Sequence, residues 1–389
     1  MTYSAVTQVP LFIQSVVEGR IRQDVQGMHA YAVQDSKAMV KLDAMENPHR
    51  LSPELQEALG RRLGAVAVNR YPGARIDELR AALARYAGMP DGFEIMLGNG
   101  SDELISLLAM ACDVTKGHPA AHPGNGRPVI LAPEPGFVMY AMSAQLQGMQ
   151  YVGVPLTDDF ELDTFAMLDA IATYRPALVY LAYPNNPTAN LWNEKSVSHV
   201  AAAAAEVGSI VVMDEAYQPF SSRSFLDEMK RDPDQYAHVL LMRTMSKFGL
   251  AGARIGYMMG RKEIISQVNK VRPPYNVSVL NCECALFALE HAEVFAAQAA
   301  DIRAQRERLQ QALLALPGVT PFPSEGNMIL IRMMGSPGRA DLIFERLKAR
   351  GILIKNVSKM HPLLANCLRL TVGTAPENDQ LLAALKDSL

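Results

Sequence analysis

Several common features are missing from this sequence, and each absence narrows what the protein can be. No run of about 18 apolar residues occurs, so no helix is expected to span a bilayer. The four cysteines, Cys112, Cys282, Cys284 and Cys367, are too few and too irregularly placed for a disulfide framework. Cys282 and Cys284 also stand one residue too close for the usual zinc spacing. The first residues lack a basic segment followed by an apolar one, so a secretory signal is not expected and a reducing, cytoplasmic setting is. A net charge of −3 leaves no basic footprint for nucleic acid or an anionic membrane. His118 and His122 lie four apart, but the prolines and glycines around them forbid the helix that would align them. A solvated loop is the expectation there, and no metal site.

What is present suits an α/β protein. With 389 residues and 49% hydrophobic content, the chain can bury a sizeable core and is too long for one compact domain. Short apolar runs at 94–97, 128–131, 177–182, 209–213 and 238–242 alternate with helical patterns at 102–112, 195–207 and 295–314. Several of these runs are apolar on both faces, as in strands covered by helices on either side. The pattern predicts a large domain with a mostly parallel sheet over 61–280. A smaller α+β domain is expected over 281–389, with strands at 328–332, 352–355 and 367–372 and a helix at 340–350. Residues 1–60 are expected to form an arm and part of that smaller domain.

Three central strands run apolar and then stop at a reactive group. Residues 177–182 lead into Tyr183-Pro184-Asn185-Asn186-Pro187-Thr188, 209–213 into Asp214-Glu215-Ala216-Tyr217, and 238–242 into Arg243-Thr244-Met245-Ser246-Lys247. In a parallel sheet such ends share one edge, where ligands bind. A carboxylate, an amide, a phenol and a lysine gathered there fit pyridoxal 5′-phosphate (PLP), whose aldehyde condenses with an amine and whose ring accepts electrons. On this reading Lys247 holds the cofactor, Asp214 keeps its ring nitrogen protonated, and Asn186 and Tyr217 donate to its 3-oxygen. The turn Gly98-Asn99-Gly100-Ser101-Asp102-Glu103, between a strand and a helix, offers free N–H groups to the phosphate. Ser246 adds a hydroxyl and Arg254 a charge. Singly, each element has an ordinary reading: a turn, a helix cap, a solvated lysine. Their shared order at strand ends is what argues for a site.

At these residues the sequence resembles the fold-type I PLP-dependent transferases and, within them, the histidinol-phosphate aminotransferases. Further matches are Leu42-Asp43-Ala44-Met45-Glu46-Asn47-Pro48, Arg70-Tyr71-Pro72-Gly73, Ala132-Pro133-Glu134-Pro135-Gly136-Phe137, Val271-Arg272-Pro273-Pro274-Tyr275-Asn276 and Leu368-Arg369-Leu370-Thr371-Val372-Gly373-Thr374. The resemblance covers nearly the whole chain from about Tyr31. It implies exchange of an amino group between histidinol phosphate and 2-oxoglutarate in histidine biosynthesis, with Lys247 also carrying the proton. It implies that Phe137 stacks on the cofactor ring and that Arg369 grips the substrate α-carboxylate, a task suited to a planar guanidinium. Tyr31, Glu46 and Asn186 match positions near the substrate. Tyr71 matches a tyrosine that reaches the cofactor phosphate of a neighbouring subunit, which implies a homodimer.

Three positions depart from the family pattern. Ala189 stands where glycine is usual, and a slightly different turn that spares alanine a positive φ is expected. Met45 replaces a common asparagine. Lys355 replaces an arginine that helps hold the substrate phosphate, keeping the charge and losing the fork. Two other activities suit the same scaffold: an aminotransferase for aromatic amino acids, and a PLP-dependent decarboxylase of a phosphorylated amino acid. A non-catalytic PLP-binding regulator would need a DNA-binding domain for which this chain has neither length nor basic patch.

Overall fold

The structure is a computed structural model that describes residues 11–28, 34–112 and 126–389. Tyr31 and the loop carrying His118 and His122 lie outside the described residues. The chain divides into a short unit, Met1–Lys37, and a main unit, Ala38–Leu389. In the short unit, helix Leu11–Arg20 is followed by the single turn Gln23–Gln26. The Gln26 amide donates to Val17 O and Ile21 O, closing the end of the first helix.

The described part of the main unit contains β1 (Val40–Lys41), β2 (Phe93–Asn99), β3 (Val129–Glu134), β4 (Gln150–Pro155), β5 (Leu178–Ala182), β6 (Ile210–Asp214) and β7 (Val239–Thr244). These are followed by β8 (Ile255–Arg261), β9 (Val319–Pro321), β10 (Met328–Met333), β11 (Ile352–Leu353), β12 (Lys355–Asn356) and β13 (Cys367–Thr371). Seven strands form the large sheet, in the order β2-β8-β7-β6-β5-β3-β4. Strands β3 to β7 pair in parallel, while β8 runs antiparallel to both neighbours.

Every residue of β5 and β7 is buried, because helices cover both faces of the sheet. Alternation divides the side chains of β5, β6 and β7 between two cores. Val179, Leu181, Val211, Met213, Val239 and Leu241 enter one, and Leu178, Tyr180, Val212, Leu240 and Met242 the other. Burying each such aliphatic side chain contributes about 1.5–3 kcal/mol. Helix Glu194–Glu206 starts where Asn193 Oδ1 accepts from Lys195 N and Ser196 N, at 3.0 and 3.4 Å.

Two strands of the large sheet carry no clear sequence signal. In β4 and β8, Gly153, Pro155, Gly256 and Gly260 read as strand breakers. The anticipated strand at 352–355 is two short ones. Here β11 pairs in parallel with β1, whereas β12 joins an antiparallel sheet of order β12-β13-β10-β9. Among the described residues, no helix is long and apolar enough to cross a membrane.

Candidate active site

Neighbouring strands β5, β6 and β7 run in parallel, so the segments that follow them emerge at one edge. A cavity of about 390 Å³ lies there, with Asn186, Asp214, Tyr217, Ser246 and Lys247 in its wall. The helix Ser101–Ala111 brings Ser101 and Asp102 to the same cavity, and Phe137, Arg254 and Glu46 also line it. Ten of the residues proposed from sequence therefore meet in one space.

Asp214, the last residue of β6, is 4% exposed. Its Oδ1 accepts from Ala216 N at 3.1 Å and its Oδ2 from the Tyr140 hydroxyl at 2.6 Å. Burial pushes its pKa up to about 6, against the lowering effect of the Tyr140 hydrogen bond. Lys247 Nζ donates to Ala44 O at 3.0 Å and lies 6.0 Å from the centre of the Tyr217 ring. Burial, reinforced by the Arg369 charge, lowers the Lys247 pKa to about 8. Nearly half of such amines are therefore neutral and nucleophilic near that pH.

At the opposite end, Gly100 precedes the first turn of its helix with φ +80°. The turn requires glycine for its conformation, and a Cβ built there would stand 2.4 Å from Arg254 Nη2, so any larger residue displaces the guanidinium. Arg254 is thereby held against the helix start, donating to Ser246 Oγ at 3.3 Å and to Asp102 Oδ2 at 3.4 Å. Thr244 Oγ1 donates to Ser246 Oγ at 3.0 Å. Helix N–H groups, a hydroxyl and a guanidinium thus face one corner, a donor set matched to a phosphate.

A third group of side chains links the Asn186–Tyr217 wall to β13, although Arg369 and Lys355 themselves do not line the cavity. Asn186 Nδ2 donates to the Tyr217 hydroxyl at 3.0 Å, while Arg369 Nη1 donates to Asn186 Oδ1 at 2.6 Å. Arg369 Nη2 reaches Asp43 O at 2.8 Å. Lys355 sits directly across from Arg369 in the β12–β13 pair, placing two cations side by side. Glu46, in the cavity wall, is ion-paired with Lys41. Tyr71 does not line this cavity; it is 74% exposed and stacks on Tyr275 with ring centres 4.1 Å apart.

Two departures find an explanation in the backbone. Ala189 adopts φ +67°, so the turn keeps the glycine-like conformation and the expected change of turn does not occur. Its N–H donates to Asn185 O and its carbonyl accepts from Glu325 N, bonds that hold it there. Met45 has φ +51°, a region asparagine enters readily, with Met45 N donating to Thr371 Oγ1 and Met45 O accepting from Asn327 Nδ2. Tyr140 and Thr244 are wall residues that sequence reasoning missed. The only available signal was the three-residue spacing of Tyr140 from Phe137, with Tyr140 in the first turn of helix Met139–Gln147 and Phe137 just before it.

The family model of class I and II aminotransferases matches residues 37–385. The chain belongs to that family. Its curated relatives include the histidinol-phosphate aminotransferase of Methylibium petroleiphilum, 64% identical over 369 residues, covering 95% of this chain and 94% of the relative. The histidinol-phosphate aminotransferase of Polaromonas naphthalenivorans is 65% identical over 369 residues, covering 95% and 96%. Among solved structures, that of the histidinol-phosphate aminotransferase from Sinorhizobium meliloti in complex with pyridoxal-5′-phosphate superposes with a TM-score of 0.80. It shares 26% identity and the match covers 95% of this chain and 97% of that one. The L-threonine-O-3-phosphate decarboxylase of Porphyromonas gingivalis shares the fold at a TM-score of 0.73 and 20% identity, over 90% of this chain and 99% of that one.

Proposed function

We propose that the protein transfers the amino group of histidinol phosphate to 2-oxoglutarate with PLP as cofactor. The observation that carries this reading is one cavity holding a part-buried lysine amine, a buried carboxylate and a phosphate-type donor corner. The site fits PLP because Lys247 is the only lysine among the described residues of the wall, Asp214 is buried in the same wall, and Arg254 is held against the helix start. The relatives' names support the substrate pair.

When bound, PLP supplies an aldehyde for an amine and a sink for the electrons left at the substrate's α-carbon. The residues divide the remaining work. Lys247 provides the attaching amine and then, at a pKa lowered toward neutrality, takes and returns the α-carbon proton. Asp214 would hold a proton on the ring nitrogen, and Tyr217 with Asn186 would donate to the ring oxygen. Phe137 would pack against the ring. Ser246, Arg254 and the N–H groups from Gly100 to Asp102 would hold the phosphate. Arg369 would orient the α-carboxylate, and Glu46 and Lys355 are the candidates for the remainder of the amino-acid substrate, with Tyr31, outside the described residues, proposed from sequence alone.

We further assign the cofactor domain to 61–280 and the smaller domain to 281–389 with part of 1–60; the β1–β11 pairing supports the last point. An exposed Tyr71 stack supports a homodimer in which that ring serves the neighbouring site. Four free thiols suit a cytoplasmic enzyme. Purified protein with PLP, histidinol phosphate and 2-oxoglutarate should form glutamate, and Lys247→Ala should abolish it. Phenylalanine or phosphothreonine reacting faster than histidinol phosphate in single half-reactions would reject the substrate assignment.

A further inference from the structure

We propose that Tyr140 is a positioning residue for amino transfer, its hydroxyl fixing the Asp214 carboxylate toward the cofactor ring and keeping it ionised. The inference rests on the PLP reading above and adds to it a residue that acts through another.

Three observations carry it. The Tyr140 hydroxyl lies 2.6 Å from Asp214 Oδ2, within the range of charge-assisted O–H donors. Burial, reinforced by the Asp214 charge, holds the phenol far above its ordinary pKa, so it stays protonated and acts as a donor. The ring cannot drift: it stacks on Tyr180 with centres 4.3 Å apart and meets Phe137 edge-on at 5.6 Å. One face of Tyr140 thus supports the Asp214 side of the site while its edge abuts the aromatic expected over the cofactor.

Asp214 has two oxygens, and each receives one donor from the protein, Ala216 N on Oδ1 and Tyr140 on Oδ2. Lone pairs remain on both for a third donor from the cavity. A buried carboxylate with only the Ala216 contact would favour its neutral form, and a neutral acid no longer stabilises a cation beside it. The hydroxyl therefore decides which partner keeps the proton shared between Asp214 and the ring nitrogen.

Neighbouring Tyr180 provides a built-in control. Its ring is the other half of the stack, yet its hydroxyl is buried with no hydrogen-bond partner among the described residues. Tyr140→Phe and Tyr180→Phe each remove one oxygen from the same stack, and only the first touches Asp214.

The experiment loads parent, Tyr140→Phe and Tyr180→Phe proteins with PLP labelled with ¹⁵N in the ring. The pyridine nitrogen shift is then recorded at neutral pH, alongside PLP affinity by titration of the apoprotein. We expect a protonated nitrogen in the parent and in Tyr180→Phe. In Tyr140→Phe the signal should move toward the neutral pyridine value, with PLP binding roughly ten- to hundredfold weaker. A purely structural tyrosine would leave the nitrogen shift where it was. Unchanged shift and affinity in a folded Tyr140→Phe protein would overturn the inference and leave the PLP reading intact. A parent that binds no PLP, or binds it with a neutral nitrogen, would overturn both.

Discussion

Replacing Gly100 by alanine tests the phosphate corner with a single added carbon. At φ +80° and ψ 170°, a region nearly confined to glycine, the substitution costs about 1–3 kcal/mol in the folded state. The new Cβ would also lie 2.4 Å from Arg254 Nη2, so the guanidinium must swing away from Ser246 and the helix start. Losing one charge-assisted phosphate contact is worth about 1.5–3 kcal/mol, roughly a ten- to hundredfold loss of PLP affinity. Gly148 separates the two effects. It has φ +74° and open space around its missing Cβ, at the end of helix Met139–Gln147. Gly148→Ala, in the αL region, should lose about 1–2 kcal/mol of folding stability in urea melts and keep PLP affinity, measured by titration of the apoprotein. Gly100→Ala should lose both. If Gly100→Ala binds PLP within twofold of the parent, Arg254 is not the phosphate's partner and the corner has been misread.

Further expectations follow from buried charge. Asp214 has its folded pKa raised to about 6, so its contribution to stability is full below about pH 4 and disappears as pH rises through 6. That contribution is roughly 3 kcal/mol, and the apoprotein's stability profile should lose this step in Asp214→Asn. Lys247 has the opposite sign: with its folded pKa lowered to about 8, its contribution is present above about pH 10.5 and lost as pH falls through 8. Covalent capture of PLP by the apoprotein, followed by absorbance, should accelerate with pH through a midpoint near 8. A pH-independent capture rate would refute that shift. The Arg243–Glu215 ion pair, almost fully buried, also binds Ser224 and the Phe225 N–H; Arg243→Leu should cost about 3–5 kcal/mol in urea unfolding by stranding the carboxylate. Arg369→Lys cannot serve Asn186 and Asp43 with a planar fork, so kcat/KM for 2-oxoglutarate should fall at least tenfold. An unchanged kcat/KM would remove Arg369 from the substrate site.

Much of this molecule is legible in its linear order. Strands β5, β6 and β7 announce themselves because central parallel strands must be apolar on both faces, so an Asn186, Asp214 or Lys247 at the end of such a run stands out. Strands β4 and β8 do not, since tertiary pairing overrides the glycines that locally disfavour them. The contribution of Ala44 to the site is also invisible in sequence, because it uses a carbonyl that every residue has. Tyr140 sits among many tyrosines and gains its meaning only when folding brings it 74 positions forward to Asp214. At Ala189, steric preference suggested a rearranged turn. The structure keeps the turn and accepts a positive φ, because both peptide groups of that residue are hydrogen-bonded in place.

The central claim is that one particular amine carries the cofactor. Borohydride reduction of the PLP-loaded protein, followed by digestion and mass spectrometry, reads this directly. A phosphopyridoxyl mass is expected on the peptide containing Lys247 and on no other lysine. A label on Lys41, Lys355 or any other amine, with Lys247 unmodified, would contradict it.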